Sequence, residues 1–98
     1  GRVVNQLELT ASIAEIDALR YTPSGVPALN ARLAHSSDIL EAGQTRQVQV
    51  SIKSVAFGTV AERLARQAIG SSWNFKGFLA SPRGNKQVVF HIQEFAQS

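Results

Sequence analysis

The sequence predicts an all-β domain carrying one short helix, and three observations lead to it. Apolar and polar residues alternate in five separate stretches, the period expected of half-buried strands. That alternation slips by one residue inside the first stretch, the mark of a β-bulge that bends a strand around a barrel corner. The one helical stripe lies between the third and fourth stretches. An order of β-β-β-α-β-β with a bulged first strand, within 98 residues, describes an OB-fold, a five-stranded Greek-key barrel with its helix between strands three and four.

In the first strand Leu7, Leu9, Ala11 and Ile13 share one face, with Glu8, Thr10 and Ser12 on the other. Ile16 is then apolar where Glu15 would continue the pattern, which places the bulge. Thr22-Pro23-Ser24-Gly25 turns the chain, with Pro presetting one φ and Gly free to take φ above zero. The second strand points Leu29, Ala31 and Leu33 inward and Asn30 and Arg32 outward. The polar run Ser36-Ser37-Asp38 and the segment Glu41-Ala42-Gly43-Gln44 are expected to form a loop. The third strand alternates most cleanly, with Val48, Val50 and Ile52 inward and Gln47, Gln49, Ser51 and Lys53 outward.

Thr59-x-x-Glu62 then has the form of a capping box, in which each side chain satisfies an orphan N–H at a helix start. Val60, Ala61, Leu64, Ala65 and Ala68 form the helical stripe, and Gly70 stands where a left-handed residue would end it. Trp73, Phe75 and Leu79 alternate in the fourth strand, with Gly77 at an expected sharp bend. Ser81-Pro82-Arg83-Gly84-Asn85 reads as a loop, and Val88, Phe90 and Ile92 face inward in the fifth strand.

The whole of residues 1–98 is one domain by length, with residues 1–4 expected outside it, disordered or foreign to the native chain. Apolar residues make up 44%, a globular share. The absence of cysteine excludes a disulfide framework, a thiol nucleophile and a Cys-based zinc site. No apolar run reaches the ~18 residues of a membrane span, and no secretory leader opens the chain, so a cytoplasmic protein is expected. His35 and His91 lie far apart in sequence and read as incidental surface residues. No Gly-rich phosphate loop, nucleophile–base pair or carboxylate cluster is present. No catalytic residue, metal or cofactor is therefore expected, and the chain does not read as an enzyme.

Ten Lys and Arg against seven Asp and Glu give a formal charge of +3 and a basic isoelectric point, which permits a polyanionic partner. OB-folds commonly bind oligonucleotides on the outer surface of strands two and three, between loops one-two and four-five. Arg20, Arg32, Arg46, Lys53, Arg83 and Lys86 are expected there, six of the ten basic residues, with only Asp17, Asp38 and Glu41 as acids nearby in sequence. An ordinary solvated face is the plain alternative. Single strands also call for stacking platforms. Trp73, Phe75 and Phe90 share the inward phase and read as core, whereas Phe78 points outward and Tyr21 sits in a loop beside Arg20. Phe57, ahead of the helix, fits a hydrophobic staple or a base contact equally well.

The stretch from Arg20 to His35, with its Pro23-Ser24-Gly25-Val26-Pro27 turn, resembles the bacterial primosomal replication protein N (PriB) family of the single-stranded DNA-binding protein superfamily. Glu41-Ala42-Gly43, Arg46-Gln47, Gly70-Ser71 and Gly77-Phe78 continue that resemblance from about Asn5 to Phe95. It implies a homodimer that binds single-stranded DNA without sequence preference during replication restart. It further implies association with the nucleoid, with the restart helicase and with a helicase-loading handover protein. By the same likeness Arg20, Arg83 and Lys86 match basic DNA-contacting positions. Gln44 and Gln49 stand where better-known members carry an aromatic pair, and Ser36 replaces an arginine, which implies weaker stacking and a more electrostatic mode. Phe57-Gly58-x-x-Ala61-Glu62, with Gly70-Ser71 and Gly77, is also similar to the general single-stranded DNA-binding protein, whose stacking phenylalanine matches Phe57. Tryptophans of that protein correspond here to Ile39 and Ser51. A general binding protein lacking its acidic C-terminal tail is the alternative expectation.

Overall fold

A computed structural model describes residues 1–98. The chain forms β1 (Leu7–Ile16), β2 (Arg20–Tyr21), β3 (Pro27–Glu41), β4 (Gln44–Phe57), the helix α1 (Thr59–Ala65), β5 (Ser72–Ala80) and β6 (Val89–Ala96). The five expected strands are β1, β3, β4, β5 and β6. The two-residue β2 is an addition, pairing Arg20 with Ala28 and Tyr21 with Pro27. The sheet runs β1-β5-β6-β4-β3-β2, and a further β1–β3 pairing closes it into a barrel.

Closure depends on the bulge. Leu7–Ser12 of β1 pair with β5, while the register with β3 shifts between Ile13 and Glu15. The extra residue bends one strand so that its two halves serve two different neighbours. Inside, Ile13, Leu29, Leu33, Leu64, Phe75 and Phe90 are fully buried. Ala61 and Leu64 bring α1 onto that core. Trp73 packs edge-on against Phe95 at 5.3 Å and its Nε1 donates to Ser71 Oγ at 2.9 Å. Gly77 meets the close approach that its position suggested: a Cβ there would lie 1.8 Å from the His91 carbonyl oxygen. The β5–β6 register shifts at the same point, between Lys76 and Gly77. Ahead of β1, the Asn5 side-chain amide pairs with the Leu79 backbone, donating Nδ2–H to Leu79 O at 2.8 Å and accepting Leu79 N–H on Oδ1 at 3.0 Å.

Several local expectations change. Ser36–Glu41 is strand, not loop: Ser36 pairs with Gln49 and Glu41 with Gln44. Only Ala42 and Gly43 turn, with φ of 52° and 79°, the pair of left-handed residues that matches a tight hairpin to strand twist. The polar run misled because this half of the hairpin is an arm reaching past the barrel, where neither face needs apolar side chains. For the same reason Val50 is 39% exposed, not inward in the core, and Val48 is only half-buried.

The helix also starts differently. Its N-cap is Gly58 at φ 72°, with no side-chain cap, and the Glu62 N–H reaches Gly58 O at 3.2 Å. Thr59 is already inside the first turn, so the capping box does not form. Arg66 caps the other end in right-handed geometry, which leaves Ala68 outside the helix. Gly70 is left-handed at φ 91° but serves the turn back to β1, donating to Ile13 O at 2.7 Å. Finally, Val88 precedes β6 and is exposed, and Leu79 is exposed near the end of β5, while Val89, Phe90 and Ile92 are buried.

Candidate nucleic-acid interface

Strand alternation decides which side chains share the outer surface. With Leu29, Ala31 and Leu33 committed to the core, β3 must present Asn30 and Arg32 outward. Their partners on β4 are Val55 and Lys53. Val55 is in turn beside His91 on β6, and His91 is beside Phe78 on β5. Asn30, Val55, His91 and Phe78 therefore form one row across four strands. Phe78 stacks on the His91 imidazole at 4.7 Å and 16°. Phe57, 43% exposed at the end of β4, lies 6.0 Å from the same ring, tilted by 30°.

The neighbouring row is electrostatically unusual. Arg32 and Lys53 stand directly opposite each other, an arrangement that like charges disfavour. Arg32 Nη1 donates to Ser51 Oγ at 3.3 Å. Neither cation forms an ion pair, those of this protein being Arg46–Glu41 and Lys76–Glu94, though Glu15 on β1 stands across from Arg32 on its other side. Arg20 joins from β2, its Nη2 donating to Asn30 Oδ1 at 3.0 Å. An open groove results between this face and the segment after β5, lined by Arg20, Asn30, Lys53, Val55, Pro82 and His91. Arg83 and Lys86 are exposed on that segment. Its turn is closed by Asn85 N–H on Pro82 O at 3.0 Å.

Five of the six expected basic residues are thus gathered around one face or its bordering segment. Arg46 is not among them: it pairs across from Ile39, on the opposite face of the ribbon, and is held by Glu41. Tyr21 is 63% exposed on β2, not in a loop, and stands apart from the Phe57–His91–Phe78 group. Both histidines prove structured. His35 bridges Thr10 O at 2.6 Å through Nδ1 and Ser37 Oγ at 2.8 Å through Nε2. His91 is the central ring of the aromatic row. Its outward phase was legible from Phe90 and Ile92 on either side. Its neighbours were not, because only the parallel β4–β6 pairing sets it beside β4. No group of three or more His, Cys, Asp or Glu gathers as metal ligands would, and no helix is long and apolar enough to cross a membrane.

Comparison with known proteins gives a consistent result. A family model described as "another single-strand binding protein family" matches residues 5–94. The replication restart protein PriB of Bordetella pertussis is 41% identical over 92 residues, spanning 93% of this chain and 86% of the relative. The structure of PriB from Ralstonia solanacearum superposes with a TM-score of 0.88 at 40% identity, covering 97% of this chain and 98% of that one. The single-stranded DNA binding protein of Thermus aquaticus matches with a TM-score of 0.76 at 25% identity, over 98% of this chain but 50% of that one.

Proposed function

The chain belongs to the single-strand binding protein family and, within it, to the PriB replication restart proteins, and on that footing we propose that it binds single-stranded DNA during replication restart. Binding is independent of sequence, and the working unit is a homodimer that joins the restart helicase and a helicase-loading handover protein. It is a binding protein and not an enzyme. The observation that carries the reading is the Arg32–Lys53 pair beside a row of planar rings. The two cations face each other with neither held in an ion pair, although Glu15 flanks Arg32 on β1. A like-charge pair costs stability in the free protein, and a phosphate placed between the two side chains turns that cost into attraction.

In this account the backbone phosphates run past Arg20, Arg32 and Lys53, with Arg83 and Lys86 closing over the strand from the segment after β5. Bases lie on Phe57, Phe78 and His91, each stack contributing about 1–3 kcal/mol. Tyr21, next to Arg20 on β2 and so turned to the other face, is not part of this platform. Arg46 contributes at most from the edge of the arm. The restart assignment is favoured over a general binding protein because the likeness is 41% and 40% to PriB proteins and 25% to the Thermus protein.

Fluorescence anisotropy of labelled oligo(dT) at several salt concentrations, with duplex DNA in parallel, tests the reading. Five phosphate contacts predict a slope of log K on log salt of about −3.5, at ~0.7 per contact on single strands. Light scattering on the same sample should give the mass of two chains. Equal binding of duplex, or none at low salt, would refute the reading; a four-chain mass would favour the general binding protein.

A further inference from the structure

The arm formed by the outer parts of β3 and β4 stands away from the barrel. Residues 35–50 pair only with one another, from His35 opposite Val50 to Glu41 opposite Gln44. The β1–β3 ladder ends at Ser12 and Ala34, and β4 meets β6 only over Ser54–Ala56. The radius of gyration is 14.6 Å, against about 13 Å for a compact domain of this length. A two-stranded ribbon with no further strand or helix beside it is marginally stable by itself, so its angle to the barrel needs a tie at the root.

One half-buried side chain supplies that tie. His35 Nδ1 meets Thr10 O at 2.6 Å, the only hydrogen bond between residues 35–50 and the barrel. A carbonyl oxygen accepts and does not donate, so Nδ1 carries the proton; in the neutral ring Nε2 then accepts from the Ser37 hydroxyl at 2.8 Å. Ser37 belongs to the arm itself. That second bond orients the ring, and the first spans the gap to β1, where Thr10 lies just past the end of the ladder.

The outer surface of the arm continues the face on which Lys53 stands. Along β4, Ser51, Gln49 and Gln47 follow Lys53 on the same side, and Ser36 stands across from Gln49. All four are exposed and present neutral hydrogen-bonding groups of the kind that meet phosphates and sugars. Asp38, across from Gln47, is the one acid among them.

We infer that His35 is a positioning residue: by binding Thr10 O it fixes the arm against the barrel, so that the arm lengthens the stretch of single strand held. The inference rests on the proposed binding of single-stranded DNA and adds to it. A loose arm has to be ordered at the moment of binding, and that ordering lowers the affinity. A short oligonucleotide that reaches only the barrel is indifferent to the arm; a longer one is not.

Two measurements on the parent, His35→Ala, His35→Asn and His35→Gln test it. Asn sets its Nδ2 donor where Nδ1 stands and keeps the bond to Thr10, whereas Gln sets its Nε2 on the Ser37 side and does not. Hydrogen exchange of the free proteins should show the arm amides opening faster in His35→Ala and His35→Gln, with His35→Asn like the parent. Dissociation constants are then measured for oligo(dT) of about 5 and about 16 nucleotides, near the ends of the range that an OB-fold occupies. The short strand should bind all four proteins alike. The affinity gained with the long strand should shrink about fivefold in His35→Ala and His35→Gln, the size of one net hydrogen bond, and hold in His35→Asn.

A merely structural role would weaken both lengths together, and rescue by His35→Gln but not His35→Asn would locate the effect in the Ser37 contact; either result overturns the inference. Unaltered arm exchange in His35→Ala overturns it as well, with the DNA-binding reading intact. Failure of the parent to bind either strand would overturn that reading together with the lengthened track, and the exchange data decide separately whether His35 holds the arm.

Discussion

Lys53 and Arg32 face each other across β3 and β4 with Ser51 the only recorded hydrogen-bond partner of either side chain. A residue kept for stability alone would not be placed there. Lys53→Ala should therefore raise the stability of the free protein slightly, by up to about 0.5 kcal/mol. Urea denaturation reads this directly, and a loss of more than that would mean the pair is structural. Gly77 is the opposite case. A methyl group would enter the β6 backbone at 1.8 Å from His91 O, and backbone cannot swing aside as a side chain can. Gly77→Ala should cost about 3 kcal/mol, seen as a lower melting temperature or as failure to fold; a melt like that of the parent would contradict the close approach. The sequence showed that Gly77 was special, since a glycine inside an alternating strand marks a bend or a near backbone. It did not show the contact with His91, because that residue is adjacent only through the β5–β6 register.

Among the elements, the β3–β4 hairpin was read least well and β1 best. The bulge of β1 was visible as a phase slip because both halves of that strand have a core to face. The outer half of the hairpin has none, so the alternation of Val48 and Val50 carried no information about burial, and the polar Ser36-Ser37-Asp38 run passed for a loop. Its turn offers a clean test. Ala42 holds φ 52°, a conformation that costs an alanine about 1–2 kcal/mol and an asparagine less. Ala42→Asn should stabilise the protein by about 0.5–1 kcal/mol in urea denaturation, and no gain would mean that the turn is not strained. The aromatic row gives a second test at this scale. Phe78→Ala removes the ring stacked on His91 and should weaken oligo(dT) binding by about fivefold or more, with the salt slope unchanged because no charge is lost. A change in slope instead would show that Phe78 acts by positioning a cation.

Over the whole molecule, half of the basic residues gather on one side. Arg20, Arg32, Lys53, Arg83 and Lys86 lie on one face and its flanking segment. Arg46 and Lys76 are paired with acids on other surfaces, and Arg2, Arg63 and Arg66 lie elsewhere in the chain. A net charge of +3 understates this, which is why composition alone permitted a polyanionic partner without locating it. Barrel order, helix position and most of the basic set could be read from the sequence because alternation fixes faces within a strand. The His91-centred row and the exclusion of Arg46 could not, because they depend on which strands lie side by side. The central claim is that the outer face of β3 and β4 carries the DNA backbone. The salt dependence of oligo(dT) binding, measured for the parent and for Arg32→Ala/Lys53→Ala, tests it most directly. Loss of two phosphate contacts predicts a slope shallower by about 1.4 together with weaker binding at every salt concentration. An unchanged slope and affinity in the double variant would contradict the account.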